Sequence, residues 1–501
     1  MNSRMFLPGW ARRVRVIGFS LAGSLLLATG AGAVTFTVNT TDDGVDVSPG
    51  DGNCSTTPTL PYICTLRAAV MEANRAHNGA TIILPASVTP YTLKISPDIA
   101  DGEATGDLNL LIPSGYAPGP TTITGAGAAT TVIDANGIDR ILRIDAGRSL
   151  TISGVSLVNG LLTVSSDGGG IVNSGSLVLN DCIVSHNVAI VGSSSGGAIK
   201  NVGVLQATNV TFNDNHAGGL GGAIQNLSPG SLNLSQSTLS ANTASDGGGI
   251  AQSSSGASTV NFSTFADNTA NSDGGGIYVD NGKSLTMTTS TVSGNNAGSG
   301  GGVYNGGPLY VSNSTISGNS ATKDGGGFYN NLSGTSNIYN STIVFNQADF
   351  DGDNVGQGGG VFTEGSSVFN VRNTVLAENH RKSGVFGSDC YGTVGSYGNN
   401  RFSDATNCTI TQQGNFYTVQ PSSTELGPLQ NNGGPTQTHA LVPPSSMIGG
   451  GLGCIDQNSI HLSTDQRGKP RPPSPPVAAN SICDLGAFEY NEIFPAGFEL
   501  P

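Results

Sequence analysis

The sequence predicts an all-β protein built as a parallel β-helix, and three observations carry that prediction. Gly-Gly-(Gly/Ala) followed by an apolar residue recurs eight times, the apolar position falling at Ile171, Ile199, Ile224, Ile250, Ile277, Val303, Phe328 and Val361. Successive copies lie 28, 25, 26, 27, 26, 25 and 33 residues apart. A fixed period in this range marks one supersecondary unit stacked on copies of itself. Each copy also closes on an asparagine that keeps the step: Asn187, Asn215, Asn242, Asn268, Asn295, Asn319, Asn346 and Asn379. Between these marks the chain alternates, as in Ser284-Leu285-Thr286-Met287-Thr288, and a period of two is the signature of strand. A propeller is the rival, but its blades run to about 40 residues.

Residues 1–33 read as a secretory signal. Arg4, Arg12, Arg13 and Arg15 precede an apolar run from Val16 to Ala28, and Ala31-Gly32-Ala33 offers small residues for cleavage between Ala33 and Val34. The Arg12-Arg13 pair has poor surroundings for twin-arginine export, so the general route is preferred. Cleavage removes four basic and no acidic residues, taking the net charge from −14 to −18. So acidic a chain disfavours nucleic acid and anionic membranes as partners. No apolar span follows in the mature chain, and the 76 residues after Glu425 are too few for an outer-membrane barrel.

Residues 34–79 have another texture. Leu66, Ala69, Val70 and Ala73 fall at i, i+3, i+4 and i+7, which predicts an amphipathic helix of about three turns with Thr65 as N-cap. Its expected place is over the open end of the first coil, whose backbone is otherwise an unpaired edge. Just before it, Asp42, Asp46 and Asp51 stand in an Asp/Gly loop able to wrap Ca²⁺. The loop lacks the closing glutamate of an EF-hand, so a plain turn is preferred. Residues 80–165 are irregular first coils and 166–412 the regular repeats, with β-helix expected from about Ala80 to about Tyr397.

In each repeat, some 26 residues suffice for three short strands and three turns. Leu232, Leu234, Leu285, Met287, Leu309 and Val311 are placed inward and Ser, Thr and Asn outward. Stacking sets equivalent residues roughly 4.8 Å apart. The asparagines then form a hydrogen-bonded ladder, read as structural rather than as a binding strip.

Seven cysteines in an exported chain suggest disulfides plus one free thiol. Proximity favours Cys54–Cys64, Cys390–Cys408 and Cys454–Cys483, although spacing alone does not fix connectivity. Cys182 is left over where other repeats carry Ser237, Ser263, Ser290 and Ser314, and reads as a packed small residue.

Family resemblances attach to specific stretches. CTLRAAVMEAN (Cys64–Asn74), preceded by DGNC (Asp51–Cys54), resembles the CSLREA domain of exported bacterial proteins, with Ala68 at the signature's glutamate. The glycine and STxxxN repeats resemble those of polymorphic outer-membrane proteins and of pectate-lyase-like right-handed β-helices. LGPLQNNGGPTQTHAL (Leu426–Leu441), DQRGKPRP (Asp465–Pro472) and CDLGAFEY (Cys483–Tyr490) resemble the choice-of-anchor Q domain, here residues 413–490, followed by a tail at 491–501. These resemblances imply a right-handed β-helix that is secreted or held at the cell surface or outer membrane, in families mostly without an assigned activity.

Chemistry is sparse. Asp167, Asp246, Asp273 and Asp324 each precede Gly-Gly-Gly, and Asp246 and Asp273 lie one coil apart. Such a row suits Ca²⁺ or the paired carboxyls of a glycosidase, yet aspartate before glycine is a routine turn residue. A lyase on this scaffold needs clustered acids beside an Arg or Lys base, whereas Lys200, Lys283 and Lys323 are scattered. Arg140, Arg143 and Arg148 among Asp134, Asp139 and Asp145 read equally well as a solvated ion-pair face. The six histidines show no metal-ligand spacing, so no cofactor is expected beyond Ca²⁺. The residue after the repeat hydrophobe is Tyr278, Tyr304, Tyr329 and Phe362 in successive coils. Alternation places it outside, either as mutually stacked rings or as a contact strip for an extracellular glycan or surface protein. The preferred function is therefore a non-enzymatic adhesion or scaffold protein, with a polysaccharide lyase or glycoside hydrolase as the alternative.

Overall fold

The computed structural model describes residues 32–98, 102–162, 167–382, 389–412, 418–419, 425–456, 458–472 and 482–490. Residues 1–31 of the segment read as a signal, and the tail at 491–501, lie outside them. The chain forms a parallel β-solenoid. Equivalent strands pair in register from coil to coil, so Ile250, Ile277, Val303, Phe328 and Val361 follow one another up a single face. Among the described residues the strands make sheets of 24 and 13 strands along the stack and one of 8 strands confined to the regular repeats, from Val188 to Arg381.

Each regular coil contributes four strands where three are expected. In one coil these are Ile277–Val279, Leu285–Thr288, Thr291–Ser293 and the two-residue Asn296–Ala297. The additional strand arises because the asparagine before it turns inward. Asn187, Asn215, Asn242, Asn268, Asn295, Asn319 and Asn346 are all fully buried, which overturns their outward placement. The ladder itself forms as expected. Asn268 donates through its backbone N–H (3.0 Å) and its Nδ2 (2.9 Å) to Oδ1 of Asn295, which repeats both bonds to Asn319. Nδ2 of Asn295 also donates to the Phe265 carbonyl at 3.0 Å, so the interior amide leaves no group unpaired. A serine line runs parallel to it: the backbone N–H groups of Ser237, Ser263 and Ser290 donate to the hydroxyls of Ser263, Ser290 and Ser314. Cys182 occupies the same position, buried and free.

The glycine triplet has a steric cause at each place. Gly274 has φ +67°, a left-handed conformation that glycine adopts without penalty. At Gly275, a Cβ would run into the Gly301 carbonyl of the next coil. The third position tolerates a methyl, and Ala198 and Ala223 occupy it.

The stack starts earlier than Ala80. Strand β1 (Val34–Thr37) pairs in parallel with β2 (Ala80–Leu84), so the N-terminal segment itself lays the first rung. Helix α1 (Leu66–Ala73) is capped by Thr65, whose side chain accepts from the Ala68 N–H. It spans eight residues rather than three turns, and every one is buried. Its polar side is consumed internally. Arg67 pairs with Asp43 at 2.8 Å and donates to the Gly106 and Asp107 carbonyls, and Glu72 accepts from the Gly50 and Gly52 N–H groups. Parallel pairing continues beyond Tyr397 through Cys408–Gln412 to Thr418–Val419.

The region set at 413–490 begins inside the stack, since Thr418–Val419 pairs in parallel with Arg401–Phe402; from Leu426 the chain folds back along it. A hairpin of Leu426–Gln430 and Thr438–Leu441 lies against the 13-stranded sheet. There Gln466 donates to the Ser290 carbonyl and accepts from Thr315. Buried Arg471 reaches Glu489 at 2.6 Å and Asn313 at 3.0 Å. All three disulfides favoured by sequence proximity form.

Candidate functional site

The aromatic positions meet as one continuous stack. Tyr278–Tyr304, Tyr304–Tyr329 and Tyr329–Phe362 have ring centroids 5.2, 5.1 and 4.9 Å apart and planes within 19° of parallel. Tyr391 adds a fifth ring, 5.3 Å from Phe362 and 2° from parallel. It was not identified from sequence because its coil lacks the glycine triplet; only its place just after Cys390, which pairs with Val361, puts it in line. The C-terminal region docks on the other sheet through Thr291, Asn313, Thr315 and Ser317. The strip is thus half-exposed, and Tyr391 is 40% exposed.

Face-to-face stacking decides what the strip can offer. The ring faces cover one another, leaving edges and hydroxyls outward. Tyr304 hydrogen-bonds Asn331, and the Tyr329 hydroxyl donates to Glu364 at 3.1 Å. Burial raises the pKa of Tyr278 and Tyr304, and the nearby charges of Asp246 and Asp273 raise it further. The acidic row therefore borders the aromatic one.

Within that row Asp246 accepts from the Asp273 backbone N–H at 3.1 Å. Asp167 and Asp324 do the same for Ser195 and Gln357, each at 2.7 Å. Each carboxyl thus caps a backbone N–H of the next coil, whereas aspartate before glycine is expected to cap one of its own turn. Burial, then the charge of Asp246, pushes the Asp273 carboxyl up to about 6, against the opposing effect of Lys323. Lys200 is paired with Asp167. Arg140 and Arg143 bind Asp107 and Asp145. Arg148 departs from a solvated face: it is 2% exposed and donates to the Gly119 carbonyl and Thr121.

Asp42, Asp46 and Asp51 are not brought together. Asp42 pairs with Lys94, Asp46 accepts from the Ser48 and Ser55 N–H groups, and Asp51 accepts from Asn53. Among the described residues the metal-capable group that does converge is Asp349, Asp351 and Asp353, whose oxygens lie within 4.8 Å of one another. It sits in the 33-residue repeat, and Arg381 stands 3.6 Å from Asp349. Its alternating spacing was the available signal, masked by the general abundance of aspartate in turns. No described helix is long and apolar enough to cross a membrane.

Two segments, residues 209–227 and 262–280, match the model of the Chlamydia polymorphic membrane protein repeat. No curated protein matches the chain. Among solved structures, the chain is similar to pectate lyase Pel9A at 14% identity over 92% of this chain and 98% of that one, with a TM-score of 0.44. It is also similar to the PL6 family alginate lyase AlyGC, at 11% identity over 86% and 60% with a TM-score of 0.40. The A-module of the Azotobacter vinelandii mannuronan C-5 epimerase AlgE6 is 17% identical over 70% and 93%, with a TM-score of 0.37.

Proposed function

We propose that this is an exported, non-enzymatic surface solenoid whose aromatic strip is its contact face. The observation that carries the reading is the strip itself: five stacked rings left partly exposed while the C-terminal region seals a different sheet. Aromatic surface kept half-open over several coils is the usual mark of an interaction site. Export is supported by the disulfides, which persist in oxidising compartments, and by the matched membrane-protein repeats. That β1 begins at Val34 agrees with cleavage after Ala33. N-terminal sequencing of protein from the cell envelope or medium tests this; an abundant form retaining Met1 refutes it.

The alternative, a polysaccharide lyase or glycoside hydrolase, draws on Asp246 and Asp273, an adjoining acid pair with one carboxyl raised to about 6. It also draws on Lys323, a base near enough for its charge to reach Asp273 and so not scattered from the acidic row; against it, Asp246 is engaged in capping the next coil. A panel of polysaccharides assayed for new reducing ends and unsaturated products should show no turnover. Turnover abolished by Asp246→Ala and Asp273→Ala would establish the enzyme instead.

A further inference from the structure

Resting on the contact-face reading, we infer that the strip takes a basic partner, specifically a helix carrying one Lys or Arg per turn. The first argument is chemical. With ring faces turned to one another, the strip presents edges and phenol oxygens, not open platforms for sugars to stack upon. Around these oxygens lie carboxylates: Glu364 on the Tyr329 hydroxyl, and Asp246 and Asp273 close enough to influence Tyr278 and Tyr304. Asp280 acts on Tyr278, and Asp324 on Tyr329. Opposing cations are few: Lys323 reaches Asp273 and Asp324, and Arg381 reaches Asp324. A surface rich in acceptors and negative charge selects a ligand of donors and positive charge, and repels polyuronates.

The second argument is geometric. The rings repeat every 4.9–5.3 Å. One α-helical turn rises about 5.4 Å, so basic residues at i, i+4, i+7, i+11 and i+14 stay in step with the five rungs over the whole ladder. Same-face residues of an extended strand recur at roughly 6.7 Å and lose register after two rungs. Four intervals of about 5 Å match a helix of about 14 residues.

Fluorescence anisotropy with a labelled 15-residue helical peptide bearing lysine at those positions tests the inference on the folded mature chain. Expected results are saturable binding, loss of at least tenfold in affinity when the lysines become glutamine, and a similar loss for the double variant Asp273→Asn, Glu364→Gln. Those two substitutions leave the rings in place, so they answer even if Tyr304→Ser loosens its coil. Binding should also fall steeply with salt. Equal affinity for the glutamine peptide overturns the inference, as does preference for an extended lysine peptide or a chitosan oligomer. Cell or glycan binding that needs Tyr304 but ignores lysine peptides leaves the contact face standing and removes its basic partner. Tyr304-independent binding of every probe removes both.

Discussion

A single interior asparagine holds more of this molecule together than its size suggests. Asn295 gives its backbone N–H and Nδ2 to Asn319, takes two bonds from Asn268, and satisfies the Phe265 carbonyl. Asn295→Ala takes a partner from the Asn268 backbone N–H, the Asn268 amide and the Phe265 carbonyl, and a buried polar group left unpaired costs roughly 1–3 kcal/mol. Urea unfolding should therefore show a loss of about 3 kcal/mol or more, far above an exposed Asn→Ala change. Asp273 illustrates the opposite case. Its carboxyl titrates near 6 in the folded chain and near 3.8 unfolded, so the folded state binds the proton more tightly. The stability it lends is complete below about pH 3.8 and is lost as pH rises through about 6. Asp273→Asn should accordingly raise the thermal midpoint at pH 7.5 and change it little only below about pH 3.8. The sequence announces both residues by period. It does not announce that the asparagine points inward, because alternation assigns polar side chains to solvent; a buried amide is tolerated only where the neighbouring coil completes its bonds.

At the level of the element, the glycine triplet and the aromatic ladder are both products of stacking. Gly275→Ala forces a methyl against the Gly301 carbonyl, and should lower stability by more than the about 1 kcal/mol that helix-interior glycine changes involve. Tyr304 stacks on two neighbours, each pair contributing about 0.5–1.5 kcal/mol. Tyr304→Ser should thus lower stability modestly, whereas Tyr278→Phe keeps the stack and removes only a hydroxyl. A thermal midpoint unchanged in Tyr278→Phe but reduced in Tyr304→Ser checks this division. The coil itself was legible from glycines and hydrophobes. Its fourth strand was not, since two residues such as Asn296–Ala297 are too short to carry a pattern. Helix α1 was legible by position and cap, but its buried polar side was not: the partners of Arg67, at Asp43, Gly106 and Asp107, lie 24 to 40 residues away.

For the whole molecule, the C-terminal region acts as a clamp along the solenoid. Its anchors, Gln466 and Arg471, meet residues 151 and 158 positions earlier, a pairing that no local spacing reveals. Removing one partner of a buried charge pair typically costs about 3–5 kcal/mol. Arg471→Ala should release residues 425–490 to protease at concentrations that leave the wild type whole, while circular dichroism of the solenoid stays close to wild type. Loss of all strand signal in that variant would mean that clamp and solenoid fold as one unit.

The asparagine ladder also has a direction. Every rung donates toward the C-terminus and accepts from the N-terminus, so a finished coil always offers two donors and waits for an acceptor. The line ends where Asn379 gives both bonds to Asp389, whose oxygens also take the N–H groups of Ser403 and Asp404, so that the side chain accepts where every earlier rung also donates. The ladder thus behaves as a polar copolymer with a built-in chain terminator. Recombinant arrays lengthened by inserting whole repeats before Asp389 should grow without limit of register, whereas repeats grafted after it should find no donor pair to continue from. Asp389→Asn, which turns an amide toward those same N–H groups, should fray the last coils first, visible as early hydrogen exchange at Asn379 and Ser403.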